Sequence, residues 1–382
     1  MIGDTMIYLD NAATTNHKPQ TVLDAVNNCI LNYSVNPNRG GGKRALELSK
    51  ILYDIRCKIS LLVDGYGADR VIFTHGCTDA LNLAILGTAK KGHVVITATE
   101  HNSVLRPVMQ LFKKGIADIS VVTPDEEGNI SAQSIENALR EDTYLVCVSH
   151  ASNVTGKAQN LQEIGLVAKR RNLLFLVDCA QSMGYFPLDM NKCGVSMAAF
   201  GAHKGLHGLQ GAGVLVVSDK VALKPVIFGG TGTESQNVYQ PTTFPDGFEP
   251  GTLPCPAIVS MGAGIDAWLS DWKRRGETIQ AMQALILAGL KSIPNVKLLS
   301  KANRSGIVAF DVGNTDSNAV ADCLSEKFDV VTRGGLHCAP LMHKFLGTDS
   351  QGAVRASVSY ATTKQDCFCL LNAVEHIAKH GL

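Results

Sequence analysis

The sequence predicts an α/β protein, with a large domain on a mainly parallel sheet and a smaller α+β domain after it. Three observations carry this. Six short apolar runs between residues 71 and 200 alternate with helix-length segments, the rhythm of a parallel sheet covered on both faces. A Gly/Pro-rich passage at 228–256 then breaks that rhythm. Beyond it, one long helical pattern and a few further strands and helices replace the alternation.

The strands of the first part read as VIFT at 71–74, VVITA at 94–98, ISVVT at 119–123, YLVCVS at 144–149, LLFLVD at 173–178 and MAAF at 197–200. Their Val, Ile, Leu and Phe content suits burial on both faces. Helices are expected at 79–89, 131–140 and 161–171, with Ser131 and Ser134 as candidate caps of the second. In the second part a helix spans 257–290, a strand 307–312 and a helix 317–327. Strands follow near Val330 and at 354–360, and a last helix starts at about Lys364. Loops after the carboxyl ends of parallel strands are where a ligand belongs.

Composition excludes several classes. At 382 residues the chain is long enough for two or three domains and a large core. A net charge of +1 is too balanced for a nucleic-acid binder that relies on bulk positive charge. With 45% hydrophobic and 18% charged residues the chain is not mainly disordered. No apolar run nears the ~20 residues of a membrane span. The opening MIGDTMIYLDNAATT lacks the order of a signal peptide. Eleven scattered cysteines read as reduced thiols, so a cytoplasmic enzyme is expected.

Two strand ends hold the first candidates. Asp178 closes one strand, with Gln181 just beyond, and Lys204 follows the next among glycines in GAHKG. A lysine amine forms a Schiff base with a carbonyl cofactor, and pyridoxal phosphate also needs a carboxylate opposite its ring nitrogen. Asp178 and Lys204 suit that pair, although an Asp there can also simply cap a turn. HGCTDA at 75–80 is a glycine turn opening a helix, an anion site with Thr78 as an added donor. His101, in TEHNS, can stack on a ring or move a proton. Asn153 can donate to a ring oxygen or a carboxylate, or hold its own turn.

The second part offers a thiol and a cation. Cys338 lies in RGGLHCAP, a loop context in which Arg333 and His337 can favour the thiolate. Arg355 stands among apolar strand residues in VRAS and wants an anionic partner, either a substrate carboxylate or a structural ion pair. Other patterns carry less. RGGGKR at 39–44 lacks the Ser/Thr and the preceding strand of a P-loop, and GGTG at 229–232 lacks dinucleotide spacing. His203 and His207 lie among glycines, and Cys367 and Cys369 are two apart in a helix. No metal site is expected.

Taken in order, these motifs resemble the pyridoxal-phosphate-dependent cysteine desulfurases of the class V aminotransferase superfamily. The likeness is to the SufS-like and selenocysteine-lyase-like group. It runs through YLDNAATT, the His101 loop, VDCAQS, HKG, FEPGT at 248–252, RGGLHCAP and VRAS. It implies the fold type I architecture of pyridoxal-phosphate enzymes: residues 1–16 packing with the small domain, 17–256 forming the large one and 257–382 the small one. It implies Lys204 as the Schiff-base lysine, Asp178 as partner of the ring nitrogen, Gln181 as donor to the ring oxygen and His101 stacked over the ring. Cys77, Thr78 and His203 would hold the phosphate, with Thr252 reaching in from a second subunit of a homodimer. Asn153 and Arg355 would grip the substrate carboxylate.

The implied reaction takes sulfur from L-cysteine onto Cys338, leaving L-alanine and a persulfide for an acceptor protein or small thiol, as in iron–sulfur cluster assembly. Selenocysteine lyase, with L-selenocysteine as substrate, or another β-elimination or transamination on a small amino acid is the alternative. A silent sulfur carrier or assembly partner is the more remote one. The sequence departs from the group at Gly201, where many relatives carry a serine that touches the phosphate. RGGGKR and the Leu336–His337 pair also differ from the commonest wording.

Overall fold

The computed structural model describes residues 6–37 and 42–382. In chain order the elements begin with β1 (Ile7–Tyr8), α1 (Gln20–Asn32), α2 (Lys43–Leu62), β2 (Val71–Thr74), α3 (Cys77–Gly87) and β3 (Gly92–Thr97). They continue with α4 (Asn102–Lys113), β4 (Ala117–Val122), α5 (Ala132–Ala138), β5 (Thr143–Ser149), α6 (Leu161–Arg170), β6 (Leu174–Asp178), β7 (Met197–Gly201) and β8 (Gly213–Val217). Last come α7 (Cys255–Ser292), β9 (Val296–Leu298), β10 (Ile307–Val312), α8 (Ser317–Phe328), β11 (Val330–Val331), α9 (Pro340–Leu346), β12 (Val354–Ser357) and α10 (Lys364–His380).

Seven strands form one sheet in the order β2-β8-β7-β6-β5-β3-β4. All run parallel except β8, which pairs antiparallel with both neighbours. Side chains alternate cleanly across it. Val95, Val146, Val148, Phe175 and Val177 enter one core, while Val94, Ile96, Leu145, Cys147 and Leu176 enter the other. A strand with apolar residues on both faces must be covered on both, which confirms the α/β reading.

The C-terminal part builds a three-stranded antiparallel sheet, β12-β10-β9, and a parallel pair, β1-β11. A core of its own joins Leu9, Phe310, Val354, Leu370 and the later residues of α7. Helix α7 serves two cores: Ile258 and Met261 belong to the large sheet, Ile279 and Ile286 to the small one. Its backbone leaves helical geometry at Asp271, between the two halves.

Several expectations are corrected. Helix α3 starts two residues earlier than expected, which puts Cys77 and Thr78 inside its first turn. The strand expected at 354–360 ends at Ser357. At α5 only Ser131 caps, accepting from Ser134 N; Ser134 Oγ donates back to the Ser131 carbonyl. Helices α1, α2 and α4 and strand β8 are elements for which the sequence reading gave no ranges. Of RGGGKR, Arg39, Gly40 and Gly41 lie outside the described residues.

Candidate active site

Parallel strands end on one side, so the loops after β2, β3, β5, β6 and β7 share that end of the sheet. They surround a cavity of ≈ 590 Å³, closed from the other side by Ala12, Ala13, Arg333, His337 and Arg355. That volume is typical of a small-molecule or cofactor site.

The turn after β2 meets β8 closely. A Cβ on Gly213 would lie 2.3 Å from the carbonyl carbon of Gly76, so only glycine lets the strand pass there. The N-terminus of α3 then faces the cavity with Cys77 and Thr78. Asp178 ends β6 buried, and its Oδ1 accepts from Ala180 N at 2.9 Å. Cys77 Sγ donates to the same oxygen at 3.6 Å, and burial pushes this thiol well above its ordinary pKa.

His101 caps α4, its Nδ1 accepting from Ser103 N at 3.0 Å. The ring proton of the neutral imidazole therefore sits on Nε2, and burial lowers the ring's pKa. Ser103 Oγ lies 2.9 Å from His101 Nδ1 and 2.7 Å from Thr78 Oγ1, which ties this loop to α3. Beneath it, Glu100 is fully buried and accepts from Thr97 Oγ1, Ser149 N and Ser149 Oγ. Burial raises its pKa to about 8.

Lys204 lines the cavity, and burial depresses its pKa against the opposing pull of Cys77 and Asp178. Its neighbour His203 is held down to about 4 by burial, then by Lys204. Gln181 donates one amide N–H to the Ala12 carbonyl at 2.8 Å and keeps the other.

The remaining predicted residues come from the far side. Arg355 is 1% exposed and pairs with Asp10 at 2.7 Å, while its Nη1 donates to the Asn153 carbonyl at 2.9 Å. Asn153 Nδ2 in turn donates to the His337 carbonyl at 2.6 Å. Leu336 to Ala339 form a tight turn closed by Ala339 N to Leu336 O at 2.8 Å. Its two central residues, His337 (φ 49°) and Cys338 (φ 56°), are both left-handed, a backbone region side chains disfavour. Arg333 Nη2 lies 3.9 Å from Cys338 Sγ. Thr252 lines a neighbouring cavity of ≈ 260 Å³ instead of the main one.

A family profile described as aminotransferase class-V matches residues 7–370. The chain belongs to the class-V aminotransferase family. A probable cysteine desulfurase of Methanothermobacter thermautotrophicus is 34% identical, over 98% of this chain and 95% of the relative. One from Halalkalibacterium halodurans is 30% identical, over 98% and 93%. The apo structure of a cysteine desulfurase from Thermococcus onnurineus NA1 superposes with a TM-score of 0.90 at 28% identity, covering 99% of this chain and 95% of that one. The likeness bears out the fold type I architecture.

Members of the class-V family use pyridoxal phosphate, and the residues here fit that group. His203 Nδ1 is buried without a hydrogen-bond partner, on the cavity wall. A Cβ on Gly201 would approach the His203 ring at 3.4 Å and Cys77 Cβ at 3.8 Å, so the missing side chain leaves that part of the cradle open. Asp10, Glu100 and Ser103 shape this class-V site and were not read as site residues. Asp10 was visible in YLDNAATT, but its partner is 345 residues away.

Proposed function

We propose that this class-V family member is a pyridoxal-phosphate-dependent cysteine desulfurase, taking sulfur from L-cysteine onto Cys338 and releasing L-alanine. The observation that carries it is the pairing of two groups about one cavity. A half-buried lysine with a depressed pKa lines one wall, and Arg333 and His337 line the other, where the half-buried thiol of Cys338 follows His337 in the chain and lies 3.9 Å from Arg333 Nη2.

Pyridoxal phosphate, when bound, supplies an aldehyde that condenses with an amine and draws electrons from the amino acid's Cα. Lys204 would hold it, and the lysine amine would take the Cα proton. Asp178, oriented by Ala180 N and Cys77, would face the ring nitrogen. Gln181 would donate its remaining N–H to the ring oxygen, and His101 would stack over the ring. The N-terminus of α3, with Cys77, Thr78 and His203, receives the phosphate, and Thr252 contributes to the site of a second copy. Arg355 Nε, buried without a partner, and the second amide N–H of Asn153 receive the substrate carboxylate.

Cys338 as thiolate attacks the sulfur of L-cysteine. The carbon–sulfur bond breaks, its electron pair stays with carbon, and a proton completes alanine. One L-cysteine and one thiol become one L-alanine and one persulfide, with no external oxidant or reductant. An acceptor protein or small thiol then removes the sulfur.

A homodimer is part of this reading: Phe228, Val238 and Tyr239 are 74%, 90% and 80% exposed on the segment before Thr252, an apolar surface a second copy would cover. Of the described residues, 6–16 would pack with the small domain of 257–382, and the large domain would lie within 17–256. Eleven free thiols agree with a reducing cytoplasm, and no helix among the described residues is long and apolar enough to cross a membrane.

The test is Cys338→Ala. Persulfide, read by mass spectrometry, and alanine should both fall to near background, while visible absorbance on mixing with L-cysteine still changes. With L-selenocysteine the loss should be smaller, since selenium leaves more easily. Alanine from L-cysteine at the wild-type rate would overturn the desulfurase reading and favour a lyase or aminotransferase.

A further inference from the structure

Behind the Cys338 turn lies a line of three buried side chains that the proposed reaction does not touch. His337 Nε2 lies 3.2 Å from the Arg333 carbonyl, and His337 Nδ1 lies 3.3 Å from His343 Nε2. His343 Nδ1 lies 2.8 Å from Thr348 Oγ1. His337 is 2% exposed, and His343 is fully buried.

The direction of every proton in this line follows from its end. A carbonyl oxygen only accepts, so His337 Nε2 carries hydrogen and donates to Arg333 O. A neutral His337 then has a bare Nδ1, which accepts from His343 Nε2–H. The remaining nitrogen, His343 Nδ1, accepts from the Thr348 hydroxyl. Burial and the flanking Arg355, Arg333 and His343 keep His337 neutral. Burial does the same for His343, opposed only by Asp349. One arrangement of protons satisfies all four groups.

We propose that His343 is a positioning residue: oriented by Thr348, it donates to the bare Nδ1 of His337 and thereby holds the left-handed turn that presents Cys338 to Arg333. The need for such a support is visible in the backbone. Two consecutive non-glycine residues in the left-handed region are strained, and this turn stays only if its surroundings over-determine it. Asn153 Nδ2 holds the His337 carbonyl and Asn102 N holds the Cys338 carbonyl. The imidazole line holds the side chain from behind. The Arg333 carbonyl that receives it also accepts from Arg355 N at 2.8 Å, so the turn and the guanidinium share one anchor. Loss of His343 leaves His337 Nδ1 buried and unpaired, the turn relaxes, and Cys338 Sγ moves away from the Arg333 guanidinium.

The inference rests on the desulfurase reading only in taking Cys338 as the thiol served. Its test is therefore read without L-cysteine: the rate of iodoacetamide alkylation at Cys338, followed by peptide mass spectrometry from pH 5 to 10 on the cofactor-loaded enzyme. In His343→Leu the midpoint should rise by about half to one pH unit and the rate at pH 7 fall roughly 3- to 10-fold. His343→Gln, whose amide supplies one donor and one acceptor, should restore most of it. Thr348→Val should move the midpoint less and in the same direction. Visible absorbance of the bound cofactor should match wild type in all three. An unmoved midpoint in folded His343→Leu overturns the proposal. Should that variant not fold, an unmoved midpoint in Thr348→Val does so. A Cys338 that never takes a persulfide from L-cysteine would sink the desulfurase reading and leave this result standing.

Discussion

The backbone N–H of Asn102 donates to the carbonyl of Cys338 at 2.7 Å. Helix α4, capped by His101, thus begins against the turn that carries the thiol. The ring-stacking histidine and the sulfur acceptor of the proposed mechanism share a single peptide contact.

That contact can be removed alone. Asn102 is the first helical residue after its cap, where proline is well tolerated, and His101 already has the extended backbone that precedes proline (φ −71°, ψ 156°). Asn102→Pro should keep the helix and lose about 1 kcal/mol of stability. Persulfide formation should fall several-fold while cofactor binding stays unchanged, measured by urea unfolding, single-turnover alanine release and absorbance titration. Asn102→Ala, which keeps the N–H, should behave as wild type.

Lys204→Ala should abolish turnover and covalent attachment of the cofactor. Borohydride treatment of wild type should fix pyridoxyl mass on the peptide containing Lys204, and the variant should give no such peptide. A fixed adduct on another lysine would remove Lys204 from its role.

Asp10→Asn leaves Arg355 buried opposite a neutral amide. Removing one partner of such a pair costs about 3 kcal/mol, an amount that chemical denaturation resolves readily. Equal stability of variant and wild type would mean that solvent already screens this pair.

Glu100 makes stability depend on pH in an unusual direction. Its folded pKa of about 8 lies above its ordinary 4.5, with burial the leading cause. The folded state therefore binds this proton more tightly than the unfolded one. The resulting stability is full below pH 4.5 and is lost as pH rises toward about 8. Glu100→Gln, titrated with urea between pH 5 and 9, should lose less stability over that interval than wild type. Parallel curves would refute the role.

Much of the fold was legible because strands buried on both faces are written in continuous Val, Ile, Leu and Phe. The bounds of β2 and β10 coincide with their apolar runs. Helix α10 starts at Lys364, as read, because Thr363 and Asp366 form a capping box before it. Helix α4 was obscured by Pro107 in its interior and by a histidine acting as cap. Strand β8 carries the same apolar signature, but it returns antiparallel, with no crossover helix before it. In the site, Lys204, Asp178 and His101 could be read because each ends or follows a strand. The Asp10–Arg355 pair and the His337–His343–Thr348 line could not, since each depends on which distant or looped segments meet.

The pairing of β1 with β11 also has a temporal side. Ile7 pairs with Val330, so roughly 320 residues emerge from the ribosome before the first strand meets its partner. At ~5–20 residues per second this takes roughly a quarter of a minute to a minute. The seven-stranded sheet is complete in sequence by Val217 and can close meanwhile. Ala12 and Ala13, which wall the cavity, and Asp10 just before them are tethered by that first strand and by bonds to Ser357 and Arg355. The amine side of the site is thus assembled early in synthesis, and the wall that encloses it is fixed only once Val330, Arg355 and Ser357 have been made.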